Sequence, residues 1–149
     1  MDRPSLHVVI VNWNSGAQLK ECLQSFAAVA PDAVTVRLTV VDNASADGSG
    51  DGLEGATRIP LAIIRNADNR GFGVACNQGA AGSDADYLLF LNPDTRLMAG
   101  SLELPARYLQ APEHKAVGIA GIQLRDVDGH VARNWIPAMP TALCSGACR

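Results

Sequence analysis

Residues 88–96 read Leu-Leu-Phe-Leu-Asn-Pro-Asp-Thr-Arg. The four leading apolar residues have the look of a strand covered on both faces. An amide, a proline and a carboxylate follow. Proline holds its φ near −65°, so the backbone itself aims Asp94. The alternative reading is a simple turn, for which Asn-Pro-Asp-Thr is also good chemistry.

Similar runs lie upstream. Leu6–Val11 (LHVVIV) and Val34–Val41 (VTVRLTVV) are apolar and β-branched, and Leu61–Ile64 is a shorter third run before a fourth at Tyr87–Leu91. Helical signals separate them. Leu19, Cys22, Leu23 and Phe26 recur at helical spacing behind Asn14-Ser15-Gly16, residues suited to a helix start. Asn69–Gly82 opens as a loop and continues as a short helix. Ser101–Gln110 is helical, with Pro105 marking the expected start. Val117–Leu124 reads as a fifth strand, and Asp128-Gly129 as a hairpin turn into His130–Ile136.

This alternation predicts an α/β fold with a mainly parallel sheet flanked by helices and right-handed crossovers. Ligands of such sheets bind beyond the carboxyl ends of the strands. Those ends carry Asn12, Asp42, Asn66 and Asp94.

Composition narrows the function. The chain has 149 residues, 48% hydrophobic and 18% charged, which predicts one globular domain over 1–149. A net charge of −3 argues against nucleic acid as a partner. No apolar run approaches the ~20 residues that span a bilayer. Met-Asp-Arg-Pro leads straight into a strand, so a cytoplasmic protein is expected, with a peripheral place at the inner face of the membrane left open. Cys22, Cys76, Cys144 and Cys148 form no C-x-x-C pair and the histidines are scattered. Reduced thiols, not zinc ligands, are expected.

Each motif has a sharp and a plain reading. Asp42, within VVDNASADGS (Val40–Ser49), could accept a hydrogen bond from the ring N–H of uracil or thymine, or it could form an Asx turn. Asn43, Ser45, Asp47, Gly48, Asp51 and Glu54 match the spacing of an EF-hand loop, but the loop opens on Asn and follows a strand, so calcium is rejected. GFGVAC (Gly71–Cys76) lacks the third glycine of a dinucleotide fingerprint and follows the wrong strand. Gly71 and Gly73 would still let backbone approach an anion at a helix start, and Arg70 would add charge or simply lie solvated. Asp94 alone would repel a diphosphate; a hard divalent cation between them reverses that sign. Asn92 would bond a sugar hydroxyl or steady the cation's water shell.

Taken together, VVIVNWNS (Val8–Ser15), VVDNASADGS, NRGFGVACNQG (Asn69–Gly79) and LLFLNPDTRL (Leu88–Leu97) resemble glycosyltransferase family 2, inverting enzymes with the Rossmann-like GT-A fold. The likeness runs to about Leu124, with DVDGHVAR (Asp126–Arg133) as a weaker continuation, and is greatest to the rhamnosyltransferase-like branch. It implies a nucleoside-diphosphate sugar donor, UDP- or dTDP-linked and including dTDP-rhamnose. It also implies a saccharide or lipid-linked saccharide acceptor, Mg²⁺ or Mn²⁺, and a role in cell-surface polysaccharide biosynthesis. Asp42 would meet the pyrimidine and Asn12 the nucleoside. Asn69, Arg70, Gly71 and Asn77 would belong to the donor loop. Asp94 would hold the metal, with Asn92 where the family's D-x-D motif has its first acid.

On this resemblance residues 1–124 form the donor-binding core and 125–149 the start of an acceptor region, with the acceptor half missing or incomplete. No catalytic base is named by the sequence. A module that binds nucleotide sugar without transfer is therefore a second reading, as is a homo-oligomer or partner subunit that completes the site. A nucleotidyltransferase is the third, and ranks lower. It would want a glycine-rich basic loop where NWNSGAQLK stands.

Overall fold

Eight residues, Ser5–Asn12, make β1, and every one from Leu6 onward is buried. That is why the run carries no alternating polar face: it lies in the middle of a parallel sheet with helices on both sides. The computed structural model describes residues 3–29, 33–126 and 128–131. It divides into two compact units, Met1–Gly118 and Ile119–Arg149.

In the first unit β1 is followed by α1 (Gln18–Ala28), β2 (Thr35–Asp42), β3 (Leu61–Arg65), α2 (Phe72–Ala80), β4 (Tyr87–Leu91), α3 (Glu103–Gln110) and a 3-10 turn at Pro112–His114. All strand pairs are parallel, in the order β3-β2-β1-β4. Asn12 pairs in register with Asp42, and Asp42 with Arg65.

Alternate strand residues build two cores. Leu6, Val8 and Ile10 of β1 pack with Leu38 and Val40 of β2, with Leu19, Cys22, Leu23 and Phe26 of α1, and with Ala106 of α3. Each large side chain buried here contributes roughly 1.5–3 kcal/mol. On the other face Val11 and Val41 meet Ala75 and Cys76 of α2. There α2 lies so close that a Cβ on Gly79 would stand 2.5 Å from Val9 Cγ1 and 3.0 Å from Val41 Cγ2. Only glycine fits without displacement.

His7, on the α2 face of β1, is buried with both ring nitrogens bonded. Ser83 Oγ accepts from Arg37 Nη2 at 3.0 Å and is hydrogen-bonded to His7 Nδ1, also at 3.0 Å. Nε2 is hydrogen-bonded to Thr39 Oγ1 at 2.8 Å. Burial, then the nearby Arg37 charge, holds this imidazole below the ordinary 6.5. Cys22 and Cys76 are free, buried thiols, and burial pushes Cys22 up to about 11. Cys144 and Cys148 lie outside the described residues.

Three local expectations change. First, α1 has Ala17 as its N-cap and no side-chain cap, because Asn14, Ser15 and Gly16 bond to Ala46, Asn12 and Asp47 instead. Second, α3 begins at Glu103, two residues before Pro105. Proline costs nothing there, since first-turn N–H groups have no intrahelical partner. Third, Val117–Leu124 is not a strand. A strand exists through its neighbour, and among the described residues this run pairs with none. Gly118 and Gly121 weaken it further, and Ile119 is 92% exposed.

In the second unit the turn at Asp128-Gly129 is present. Asp126 N–H donates to His130 O at 2.9 Å, Gly129 has φ 81°, and Arg125 and Val131 form an antiparallel bridge. Residues 132–136 of the expected following strand lie outside the described residues.

Candidate functional site

The tips of β1 and β2 are joined by one buried amide. Asn12 is 0% exposed, and its Nδ2 donates to Asp42 Oδ1 at 2.8 Å, Ser49 Oγ at 2.9 Å and Ser45 Oγ at 3.0 Å. Its Oδ1 accepts from Ser15 Oγ. Asp42 is 8% exposed; its Oδ1 also accepts from Ser45 Oγ at 2.6 Å, while Oδ2 has no partner among the described residues. Gly50 presses on this carboxylate, where an added Cβ would meet Asp42 Cγ at 2.7 Å. Glycine at this position leaves the acid its place, and the bonds from Asn12 and Ser45 hold it there.

The loop after β2 binds back to the turn after β1. Asn14, at φ 52°, accepts Ala46 N–H on Oδ1 at 2.8 Å, and Asp47 Oδ2 accepts Gly16 N–H at 2.8 Å. Bonds from Ser49 hold the Asp47 carboxyl below its usual range. These side chains close a loop where an EF-hand would need them turned towards an ion. Glu54, the would-be last ligand, instead lies 3.9 Å from Arg65.

A second network ties β2 to the segment before α2. Asn43 Nδ2 donates to Asn69 Oδ1 at 2.7 Å, and Asn43 Oδ1 accepts from Asn66 Nδ2 at 3.0 Å and from Arg70 N–H at 3.1 Å. Gly71 caps α2 with φ 83°, a conformation glycine adopts freely. The Arg70 side chain is exposed and 3.7 Å from Asp68. Asn77 is exposed on α2.

Beyond β4 the geometry is open. Asn92 and Asp94 are exposed, and neither side chain has a hydrogen bond or ion pair among the described residues. The turn is held by its backbone: Asn92 O accepts from Thr95 N–H at 3.3 Å and Thr95 Oγ1 at 2.7 Å, and Arg96 pairs with Glu21. Asp42 and Asp94 therefore leave the same sheet edge on opposite flanks of β1. Two strand spacings put those tips about 9–10 Å apart. The structure brings Asn12, Asp42, Asn69, Arg70 and Gly71 into bonded contact, directly or through Asn43; Asn77, Asn92 and Asp94 stand free of it.

The sequence profile of Glycosyl transferase family 2 matches residues 7–144. The chain belongs to this family. Among solved structures, the family 2 chain is similar to the mannosyltransferase PcManGT from Pyrobaculum calidifontis in complex with GDP-Man and Mn²⁺, with TM-score 0.67 and 20% identity over 75% of this chain and 34% of that one. It is also similar to S. aureus TarS 1-349 in complex with UDP-GlcNAc, with TM-score 0.62 and 22% identity over 70% of this chain and 31% of that one. These likenesses identify the sheet and its helices as the GT-A fold. The chain spans about a third of the length of these structures. No curated protein matches it.

The donor set of this family 2 chain suits a hard cation only in part. Asp94 offers one carboxylate with no competing protein partner, and a cation such as Mg²⁺ or Mn²⁺ commonly takes one or two carboxylates and completes its shell with phosphate oxygens and water. Sequence reasoning missed several residues. Trp13, at the tip of β1, is 59% exposed beside Asn12, and its only signal is an aromatic within NWNS. In the sequence Asn43 and Ser45 register only as positions of the rejected EF-hand loop, and Ser49 only as loop polarity.

Proposed function

We propose that the chain binds a pyrimidine nucleoside-diphosphate sugar and serves inverting transfer of that sugar to a saccharide or lipid-linked saccharide hydroxyl. UDP- and dTDP-sugars, dTDP-rhamnose among them, are the donors, and cell-surface polysaccharide the product. Residues 1–124 are read as the donor-binding core and 125–149 as the opening of an acceptor region. The observation that carries this reading is Asp42, whose Oδ1 is fully engaged by its neighbours while Oδ2 is left to accept a ring N–H. Family membership supports the reaction class.

Each residue has a part. Asp42 Oδ2 accepts the N3–H of uracil or thymine; adenine has no ring N–H on that edge, and guanine presents N1–H beside an amino group in a larger base. Trp13 offers a face on which the base can stack, worth roughly 1–3 kcal/mol. Arg70 balances diphosphate charge, with Asn69 in the same turn and Asn77 on the helix that follows it. Asp94, aided by Asn92, would hold Mg²⁺ or Mn²⁺. When bound, the cation supplies Lewis-acid stabilisation of the departing diphosphate. Inversion follows when the acceptor oxygen, deprotonated by a base, bonds to the anomeric carbon opposite the breaking bond to the diphosphate. Asn12 acts through Asp42.

The test is a thermal-shift panel of UDP-, dTDP- and GDP-sugars with and without Mn²⁺. Uracil or thymine donors with Mn²⁺ should raise the melting temperature by a few degrees, as ligand linkage requires. Stabilisation by GDP-sugars alone, or by none, refutes the donor assignment. Stabilisation without sugar release in the presence of acceptor would favour the binding-module reading.

A further inference from the structure

We propose that Asn43 is a positioning residue that locks the Asn69–Gly71 turn to the tip of β2, and so sets the separation between Asp42 and Arg70 across the donor. The inference rests on the donor-site reading above.

Asn43 follows Asp42 directly and is 2% exposed. Its N–H extends the sheet ladder to Asn12 O at 2.8 Å, so its backbone is fixed to the strand tips. The side chain then reaches the other way. One oxygen accepts from both Asn66 Nδ2 and the Arg70 N–H, while the nitrogen donates to Asn69 Oδ1. Asn69 Oδ1 in turn accepts the Gly71 N–H at 2.9 Å. Asn66 exchanges two bonds with Gln78 of α2, at 2.9 and 3.0 Å. A single carboxamide thus governs the backbone of residue 70 directly and of residue 71 through one relay.

The residue type follows from this geometry. Aspartate has the same shape but no donor for Asn69, and serine has neither the reach nor the second atom. Ala44, next in the chain, is held at φ 65°. A non-glycine residue rarely adopts that conformation without tertiary reason, and here it turns the chain away immediately after Asn43. Asn69, Arg70 and Gly71 are themselves exposed, so no apolar packing replaces the amide in fixing them. Water can satisfy the freed groups, and loss of Asn43 should loosen the turn while the sheet stays intact.

The split between two ligands tests this. Uridine probes the Asp42 end alone; UDP with Mn²⁺ adds the diphosphate end. Asn43→Ser should raise the UDP Kd about tenfold, as loss of part-buried hydrogen bonds would, and leave the uridine Kd within about twofold. Should Asn43→Ser fail to fold, Asn69→Ala, which removes the exposed acceptor through which Asn43 reaches Gly71, carries the same comparison. Without ligand, amide exchange at Arg70 and Gly71 should quicken in either variant while β1 and β2 stay protected. Equal weakening of both ligands, no weakening, or unchanged exchange overturns the inference and leaves the donor reading standing. A wild-type chain that binds neither uridine nor UDP overturns both.

Discussion

Asn12 Nδ2 stands 2.8 Å from Asp42 Oδ1, across a register pair at the ends of two adjacent parallel strands. The amide is wholly enclosed, so its hydrogen-bonding capacity is spent on holding the acid and the serines around it.

Replacing that amide should therefore weaken a ligand it does not touch. Asn12→Ala strips a donor from Asp42, Ser45 and Ser49 and should cost about 1–3 kcal/mol of stability. UDP affinity should fall with it, measured by titration calorimetry well below the variant's melting temperature. Asn12→Asp should be worse, because it sets one carboxylate against another.

Asp94 predicts the opposite pattern. With no protein partner among the described residues, its charge can be removed at a stability change within about 0.5 kcal/mol. Asp94→Asn should nevertheless abolish the Mn²⁺-dependent part of UDP binding and leave uridine binding unchanged. Chelation of the wild type should reproduce the variant, and chelation of the variant should do nothing more. Equal UDP affinity in the two proteins with Mn²⁺ would remove Asp94 from the site.

Gly79 sets helix propensity against packing. Alanine is the better helix former by about 1 kcal/mol. Its Cβ, however, would stand 2.5 Å from Val9 Cγ1, and overpacking a core typically costs about 1–3 kcal/mol. The backbone of β1 behind Val9 leaves little room to yield, so Gly79→Ala should destabilise. Urea unfolding gives the sign directly.

His7 gives stability a pH dependence of known sign. Folding lowers its pKa, so near 6.5 the unfolded chain binds more protons than the folded one. Stability is therefore full above 6.5 and declines as pH falls through that value toward the folded pKa. Asp47 and Asp86 are held below the ordinary 3.8 and act only in stronger acid. Melting temperatures between about pH 7.5 and 5 should fall, and His7→Gln should flatten that slope.

Much of the fold was legible because it is written locally. Tyr87–Leu91 was read as a strand and is β4, and the ends of β1 and β2 fall within a residue or so of the apolar runs. In β1 burial on both faces leaves a continuous apolar signature. The same signature at residues 88–91 predicts a strand covered on both faces. Yet β4 leaves Leu88 45% and Phe90 46% exposed on one of them, because among the described residues no helix packs over that side-chain row. Val117–Leu124 has the same signature without a bonded neighbour, and there the reading failed. At the strand tips, Asp42 and Asp94 were visible as acids where the fold gathers ligands. The bonds of Asn12 to a residue 30 positions away, and of Asn43 to residues 23 to 27 away, leave no local trace. Asn14, Ser15 and Gly16 were misread as a helix start for the same reason. Their polar groups bond instead to Asn12 and to the loop after β2.

The bonds that tie Asp42 and the Asn69–Gly71 turn together run through Asn12, Asn43, Asn66, Asn69 and Gln78, all carboxamides. Such groups neither gain nor lose a proton in any ordinary buffer. A change of medium therefore cannot reshape this frame by titrating it; it reaches a bound nucleotide chiefly through the ligand's own phosphates, and the cradle keeps its form from mild acid to mild alkali.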